Sequence, residues 1–420
     1  VSGLDSRLHE VLEQVISAAG LQEFHLHTFE LFERPSAFGG TDIILSAVWL
    51  PEDAESPGEE ELMPEGAVSV DYSLRFRQLQ LLVTTGGVSR AEPLTVDDDK
   101  AAFFQQWAER QTDLKFGETL TFTNRTETGI EAVLSHGGFP VSTESQMQVD
   151  WDTAGRLLTA VLPIRGSSDF EQAGFGLTLE AVEPLVRQQL SLIRLPIEDE
   201  ERFADYYAID EVHIAQDGTV LPYFTEEQGA KFPGTLLLWN APSYEQFERQ
   251  PVEPFRAHVS ADEAFNIVNA APSVLDDAAL TKVTESAIRF LSAEAPEESG
   301  EWELYRVFRQ PGIIEAVCRK IGEVSGPLRR KLILLLDPDT FDVLNFMDSN
   351  NMAQLFDGFT QPRIAAVTQE EAFDEMVPFI TMDPVYVFNQ ENSKYMLCGL
   401  LDSDQCVDAV TGELKNLTDL

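Results

Sequence analysis

The chain is poor in cysteine. Three in 420 residues, Cys318, Cys398 and Cys406, make no disulfide framework, and no Cys-x-x-Cys pair offers a zinc or redox site. It is poor in positive charge as well. Its 29 basic residues stand against 72 acidic ones, a formal net charge of −43. Binding nucleic acid requires a basic surface that neutralises phosphates, so no nucleic-acid partner is expected, and docking on anionic lipid is disfavoured. Long apolar runs are missing too. The longest aliphatic stretch, Leu332 to Leu336, stops at Asp337, far short of the roughly 20 residues that cross a bilayer as a helix. No transmembrane segment is therefore expected within the chain. It opens at Val1, not Met, without a basic-then-apolar leader, and the expectation is a processed or a trimmed form, from which an export signal or anchor could have been removed.

Catalytic and cofactor motifs are equally scarce. There is no His-Glu-x-x-His helix, no phosphate-binding P-loop, no dinucleotide fingerprint and no Gly-x-Ser-x-Gly elbow. His25 and His27 would share one face of a strand, but no third ligand stands at a fixed spacing from them. His136-Gly137-Gly138 has the glycines of an oxyanion loop without its nucleophile. Acidic pairs abound, among them Asp150 with Asp152 and Asp337 with Asp339. Asp150-x-Asp152-x-x-Gly155 lacks the later ligands of an EF-hand loop. No cofactor is expected, and weak Ca2+ binding is the most these clusters offer.

What the chain does have is apolar content, 43 % of residues, enough to build cores, and a length that implies two or three domains. It also repeats itself. A β-prone run ends near an Asp, passes through a polar turn and resumes as an apolar alternation. The copies lie at 147–158 (Asp150, Asp152, Gly155), 212–221 (Asp217, Gly218), 334–344 (Asp337, Asp339) and 406–414 (Asp408, Thr411, Gly412), with looser versions at 68–76 and 313–324. Asp at such positions bonds the backbone two residues on, Gly supplies positive φ, and the flanking period of two is that of half-buried antiparallel strands. Helix-start signals precede several copies: Asp5-Ser6, Asp97-Asp98-Asp99, Thr178 before an apolar stripe reaching Ile193, and capping boxes at Ser260/Glu263 and Thr368/Glu371. Pro184 must lie in the first turn of its helix or kink it. Segments 52–66, 241–257 and 294–301 are rich in Pro, Glu, Gly and Ser and read as solvated loops. The stretch around Pro251 and Pro254 is the expected domain boundary. Cys398 and Cys406 flank Asp402-Ser403-Asp404 and would face each other across a hairpin. In an oxidising compartment they would form a cross-strand disulfide, and otherwise two half-buried thiols.

A helix followed by a hairpin of the form Val407-Asp-Ala-Val-Thr-Gly-Glu-Leu414, together with Ser260-Ala-Asp-Glu-Ala-Phe265, Tyr305 to Phe308, Pro384-Val-Tyr-Val-Phe388 and Tyr395-Met-Leu397, resembles the PepSY-type module. More closely, it is similar to the YcdB/YcdC repeat proteins of Gram-positive bacteria. The similarity is clearest over 255–420 and weaker over 95–225, and the copies at Asp337 and Asp71 lack the turn Gly. The resemblance implies an α+β fold of tandem PepSY-like units, each an α-helix packed on an antiparallel β-sheet. The expected lobes are 1–250, with a sub-boundary near 165–175, and 251–420. It further implies a secreted or cell-surface protein that is not an enzyme and whose partner is a peptide, a peptidase or a cell-envelope component. An envelope scaffold is the alternative, and a carboxylate-dependent hydrolase a third reading, which would require two carboxyls facing each other across a deep cleft.

Overall fold

The computed structural model describes residues 5–54, 56–58, 62–142, 145–171, 174–223, 230–241, 243, 247–252, 259–268, 275–310, 312–322, 324–326, 329–350, 354–390 and 392–420. The fold is α+β. Two compact units are interleaved along the chain: a first of Val1–Glu171, Phe255–Pro272 and Tyr386–Met396, and a second of Gln172–Pro254, Ser273–Val385 and Leu397–Leu420.

In the first unit, Asp5 caps α1 (Ser6–Ala19) by accepting the Arg7 N–H at 2.9 Å, and Leu8, Leu12, Val15 and Ala19 form its buried stripe. Four antiparallel strands follow: β1 (Phe24–Pro35), β2 (Thr41–Pro51), β3 (Val68–Ser73) and β4 (Gln78–Thr84). The plan then repeats. Asp99 caps α2 (Lys100–Thr112), which leads into β5 (Leu120–Arg125), β6 (Gly129–His136), the short β7 (Phe139–Pro140), β8 (Gln146–Trp151) and β9 (Leu157–Val161). The two four-strand sets join edge to edge through β4 and β9, giving one sheet in the order β1-β2-β3-β4-β9-β8-β6-β5, with β7 paired to β6. The helices share its core. Phe104 of α2 stacks on Trp151 at 4.6 Å, both fully buried, and Trp107 donates its indole N–H to the Ala18 carbonyl at 2.9 Å. A further helix, α4 (Ala261–Val268), belongs here too. Its Asp262 takes the Arg7 guanidinium at 2.7 Å, and that guanidinium lies over the Phe265 ring. An aromatic ladder completes the unit: His136, Phe170 and Tyr395 stack in turn at 4.0 and 4.5 Å, and Tyr395, Phe388 and Phe38 meet edge to face.

The second unit holds three more copies of helix plus four strands. The first is α3 (Leu179–Gln189), capped by Thr178, with β10 (Leu190–Ile197), β11 (Arg202–Ile209), β12 (Val212–Ala215) and β13 (Val220–Pro222). The last is α6 (Gln369–Met376) with β19 (Thr381–Asn389), β20 (Lys394–Asp402), β21 (Gln405–Asp408) and β22 (Leu414–Asn416), of which Tyr386–Met396, the end of β19 and the start of β20, counts with the first unit. These two copies exchange hairpins, forming sheets β10-β11-β21-β22 and β13-β12-β20-β19. Val182 and Val186 of α3 and Phe373 and Met376 of α6 pack into one core with Tyr207, Ile214, Leu401 and Val407. Between them in sequence, α5 (Asp277–Glu294) packs Val283, Ala287, Phe290 and Leu291 on a five-stranded sheet of β14 (Thr235–Leu237), β15 (Trp302–Gln310), β16 (Ile313–Lys320), β17 (Lys331–Leu336) and β18 (Val343–Asp348).

The repeated string occupies the last hairpin of each copy: β3–β4, β8–β9, β12–β13, β17–β18 and β21–β22. Asp152 accepts the Ala154 and Arg156 N–H groups, Asp217 that of Thr219, Asp337 those of Asp339 and Thr340, and Asp408 those of Val410 and Thr411, all at 2.8–2.9 Å. Gly155, Gly218 and Gly412 have positive φ. At Gly155 a Cβ would lie 2.1 Å from the Thr95 carbonyl oxygen, so the turn admits no side chain. The copies without a glycine place Phe341 at φ 63° and Arg77 at φ 52° instead.

Several expectations change. A single cut near residue 250 does not separate the units, because the free edges of β11 and β12 pair with β21 and β20, which come from the far end of the chain. The units change at 171/172 and at 254/255, and Pro254 lies outside the described residues. The helix expected to reach Ile193 ends at Gln189, since Leu190 onward pairs with β11, and Pro184 sits past its first turn. The looser string at 313–324 is not a final hairpin but β16 and the turn after it. The Cys398–Cys406 hairpin does not form. Cys398 on β20 stands opposite Ala215 and Cys406 on β21 opposite Ala208, in different sheets, and both side chains are buried and outside any disulfide.

Candidate ligand-binding cleft

The repeat turns hold few groups ready for chemistry. Asp150 lies inside β8, not in the turn, where burial raises its pKa and Gln148 bonds it at 2.6 Å. Asp217 and Asp337 are held below the usual carboxylate range by turn N–H bonds, first those of Thr219 and Thr340. For Asp408, burial opposes the charge and is outweighed by the N–H groups of Thr411 and Val410. These carboxylates shape turns. A bulge in β1 falls at His27, between Leu26 and Thr28, and breaks the alternation that would put it on one face with His25. His136 is a member of the aromatic ladder. Among the described residues, no three His, Cys, Asp or Glu groups gather where they could hold a metal ion.

The second unit has a feature the sequence did not reveal. Arg194 on β10 faces Asp205 on β11 and binds it with a two-pronged fork at 2.7 and 2.8 Å, with Asp205 6 % exposed. The turn after β16 runs alongside β10: the Arg194 N–H donates to the Ser325 carbonyl at 2.8 Å. Gly326, at φ 126°, permits this approach, since a Cβ would lie 2.7 Å from the Arg194 carbonyl oxygen. The same turn brings Arg329, whose Nε donates to the Lys320 carbonyl, and Arg330, paired with Asp348 at 2.9 Å. On the other side, the segment through Thr360 adds itself to the start of β11. The Phe203 N–H donates to the Thr360 carbonyl at 2.9 Å, and the Thr360 N–H to that of Glu201 at 3.0 Å. Phe203, Phe356 and Phe359 pack around this junction at 5.1–6.3 Å between ring centres.

Two cavities result. The first, about 570 Å3, is bounded by Arg194, Arg329, Arg330, Phe203, Phe356 and Asn350, among others. The second, about 400 Å3, is bounded by Arg202, Arg363, Asp205, Asp408, Thr360 and Thr411, among others. They share Phe203 and Gln361, so they form one cleft on either side of the Thr360 junction. Its arginines are scattered from 194 to 363 in the sequence, and only the third dimension assembles them. The adjacent Arg329-Arg330 pair, in a chain so short of positive charge, was the one local signal.

Tandem helix-plus-antiparallel-sheet units carrying an arginine-lined cleft define an α+β repeat protein. No family model matches the chain, and no curated protein matches it. Among solved structures, it is similar over 82 % of its length to 97 % of the Bacillus megaterium YpeB C-terminal domain, with a TM-score of 0.28 and 5 % identity.

Proposed function

We propose that this chain is an extracytoplasmic, non-enzymatic binding or regulatory protein of the YcdB/YcdC, PepSY-like kind, which takes an extended peptide, free or on a peptidase, as an added strand. The observation behind this reading is β5. It is the last strand of the nine-stranded sheet, and among the described residues it pairs with β6 alone, apart from Leu120, which also bridges Phe116. Five of its six residues, Thr121 to Arg125, are exposed. Edge strands are commonly guarded by proline, inward charge or a covering loop, and an unguarded one is a template for pairing. β5 has no proline, though a bulge falls between Phe122 and Asn124 and Phe116 stacks on Phe122, so the open stretch is Thr123 to Arg125. The protein's own sheets use this mode: Thr360 adds beside Arg202, and Ser325 beside Ile193. Hydrogen exchange with a tryptic peptide mixture and with secreted metallopeptidases tests it. Protection of residues 120–125, lost in Thr123→Pro, is expected. Unchanged exchange there, with no inhibition of the peptidases, refutes it.

A further inference from the structure

The cleft of the second unit gathers positive charge that neither the repeat architecture nor strand addition at β5 requires. Five of the chain's 29 basic residues, Arg194, Arg202, Arg329, Arg330 and Arg363, bound two adjoining cavities. Four of the five are ion-paired, Arg194 with Asp205, Arg202 with Glu200, Arg329 with Glu303 and Arg330 with Asp348, and three carboxylates line the same cavities, Asp205, Asp357 and Asp408. Two of those three are already satisfied, Asp205 by the Arg194 fork and Asp408 by its own turn N–H groups.

Arg363 is exposed and forms no ion pair among the described residues. Arg194 is held in one orientation by Asp205, through Nε and one Nη, and a guanidinium carries five N–H donors. A guanidinium fixed in place by a buried partner presents its remaining edge with little entropy left to lose, the condition for tight recognition of a planar anion. Phe203, Phe356 and Val324 supply an apolar wall beside these groups. The volume of the first cavity falls within the roughly 300–1,000 Å3 of small-ligand sites. The net charge of −43 does not forbid an anion here. At physiological ionic strength the Debye length is about 8 Å, so acidic residues elsewhere on the surface are screened while the lining arginines act at contact distance.

The geometry points to a carboxylate-binding site in this cleft, taking a small organic anion with an apolar body, whether a free acid or the C-terminus of a peptide. It is independent of strand addition at β5, and either can fail while the other stands.

Titration calorimetry on the full chain decides it, with four probes: 3-phenylpropanoate, acetyl-Gly-Gly-Phe with a free C-terminus, and the amide of each. Binding of both acids but neither amide assigns the site to carboxylates in general. Binding of the peptide acid alone assigns it to peptide C-termini. Arg363→Ala should weaken binding about tenfold, the effect of losing one charge-assisted hydrogen bond. Arg194→Lys, which keeps the charge and loses the fork, should weaken it similarly. Arg90→Ala, removing an exposed partner of Asp53 in the first unit, should leave it unchanged. Equal binding of acids and amides, equal affinity in Arg363→Ala that melts like the parent, or no heat from either acid up to about 10 mM overturns the assignment.

Discussion

Among single residues, Asp42 is the most unusual. Its side chain is 1 % exposed, accepts the Ser73 hydroxyl at 2.7–2.8 Å, and lies 3.8 Å from an Arg34 nitrogen. Burial outweighs these contacts and raises its pKa above 3.8. A carboxyl that binds its proton more tightly in the folded chain stabilises fully below that ordinary value. Its contribution is lost as pH rises through the folded value. Asp42→Asn, which keeps the shape and removes the charge, should therefore gain stability relative to the parent as pH rises from the acid side toward neutrality. Urea unfolding across that range measures it, and a stability difference that stays flat with pH rejects it.

At the scale of elements, capping decides the short helices. An eight-residue helix such as α6 is marginal alone. Thr368 accepts the Glu371 N–H at 3.2 Å while Glu371 takes the Thr368 N–H at 2.9 Å, and Ala372, Phe373 and Met376 then reach the core. Thr368→Ala should cost about 1 kcal/mol, with Thr368→Ser near neutral. Thermal melts of the two variants compare them directly, and equal losses would remove the hydroxyl from the explanation. Both capping boxes, the Asp5, Asp99 and Thr178 caps and the four Asp turns were legible in the sequence, because a cap or turn is built from residues within a few positions of one another. The helix behind Asp276 went unnoticed, although Leu280, Val283, Ala287 and Phe290 repeat at helical spacing. Strand partners were not legible. Nothing near Ala215 or Ala208 announces Cys398 or Cys406 as its neighbour, and local reading joined the two cysteines across a hairpin that the sheets do not contain. The cleft was hidden for the same reason, its arginines coming from three distant stretches.

For the whole molecule, charge is the dominant quantity. The carboxylates of the repeat turns and helix caps have local backbone partners, but those contacts leave the net charge at −43. Self-repulsion of that size destabilises a compact state and weakens as salt shortens the Debye length, from roughly 30 Å at 10 mM to 3 Å at 1 M. The melting temperature should rise over that range, and an unchanged one would show that the repulsion is already relieved by the fold.

The interleaving of the two units has a consequence for how the protein is made. Phe38 is made 350 residues before Phe388, which meets it edge to face, and Phe170 is made 225 residues before Tyr395, on which it stacks. The sheet β11-β21 likewise waits for the C-terminal copy. Neither unit can finish before the copy that supplies β19 to β22 has been made, so both close late, and until then the earlier copies carry unfilled aromatic sockets that a chaperone or a stalled neighbour would find first.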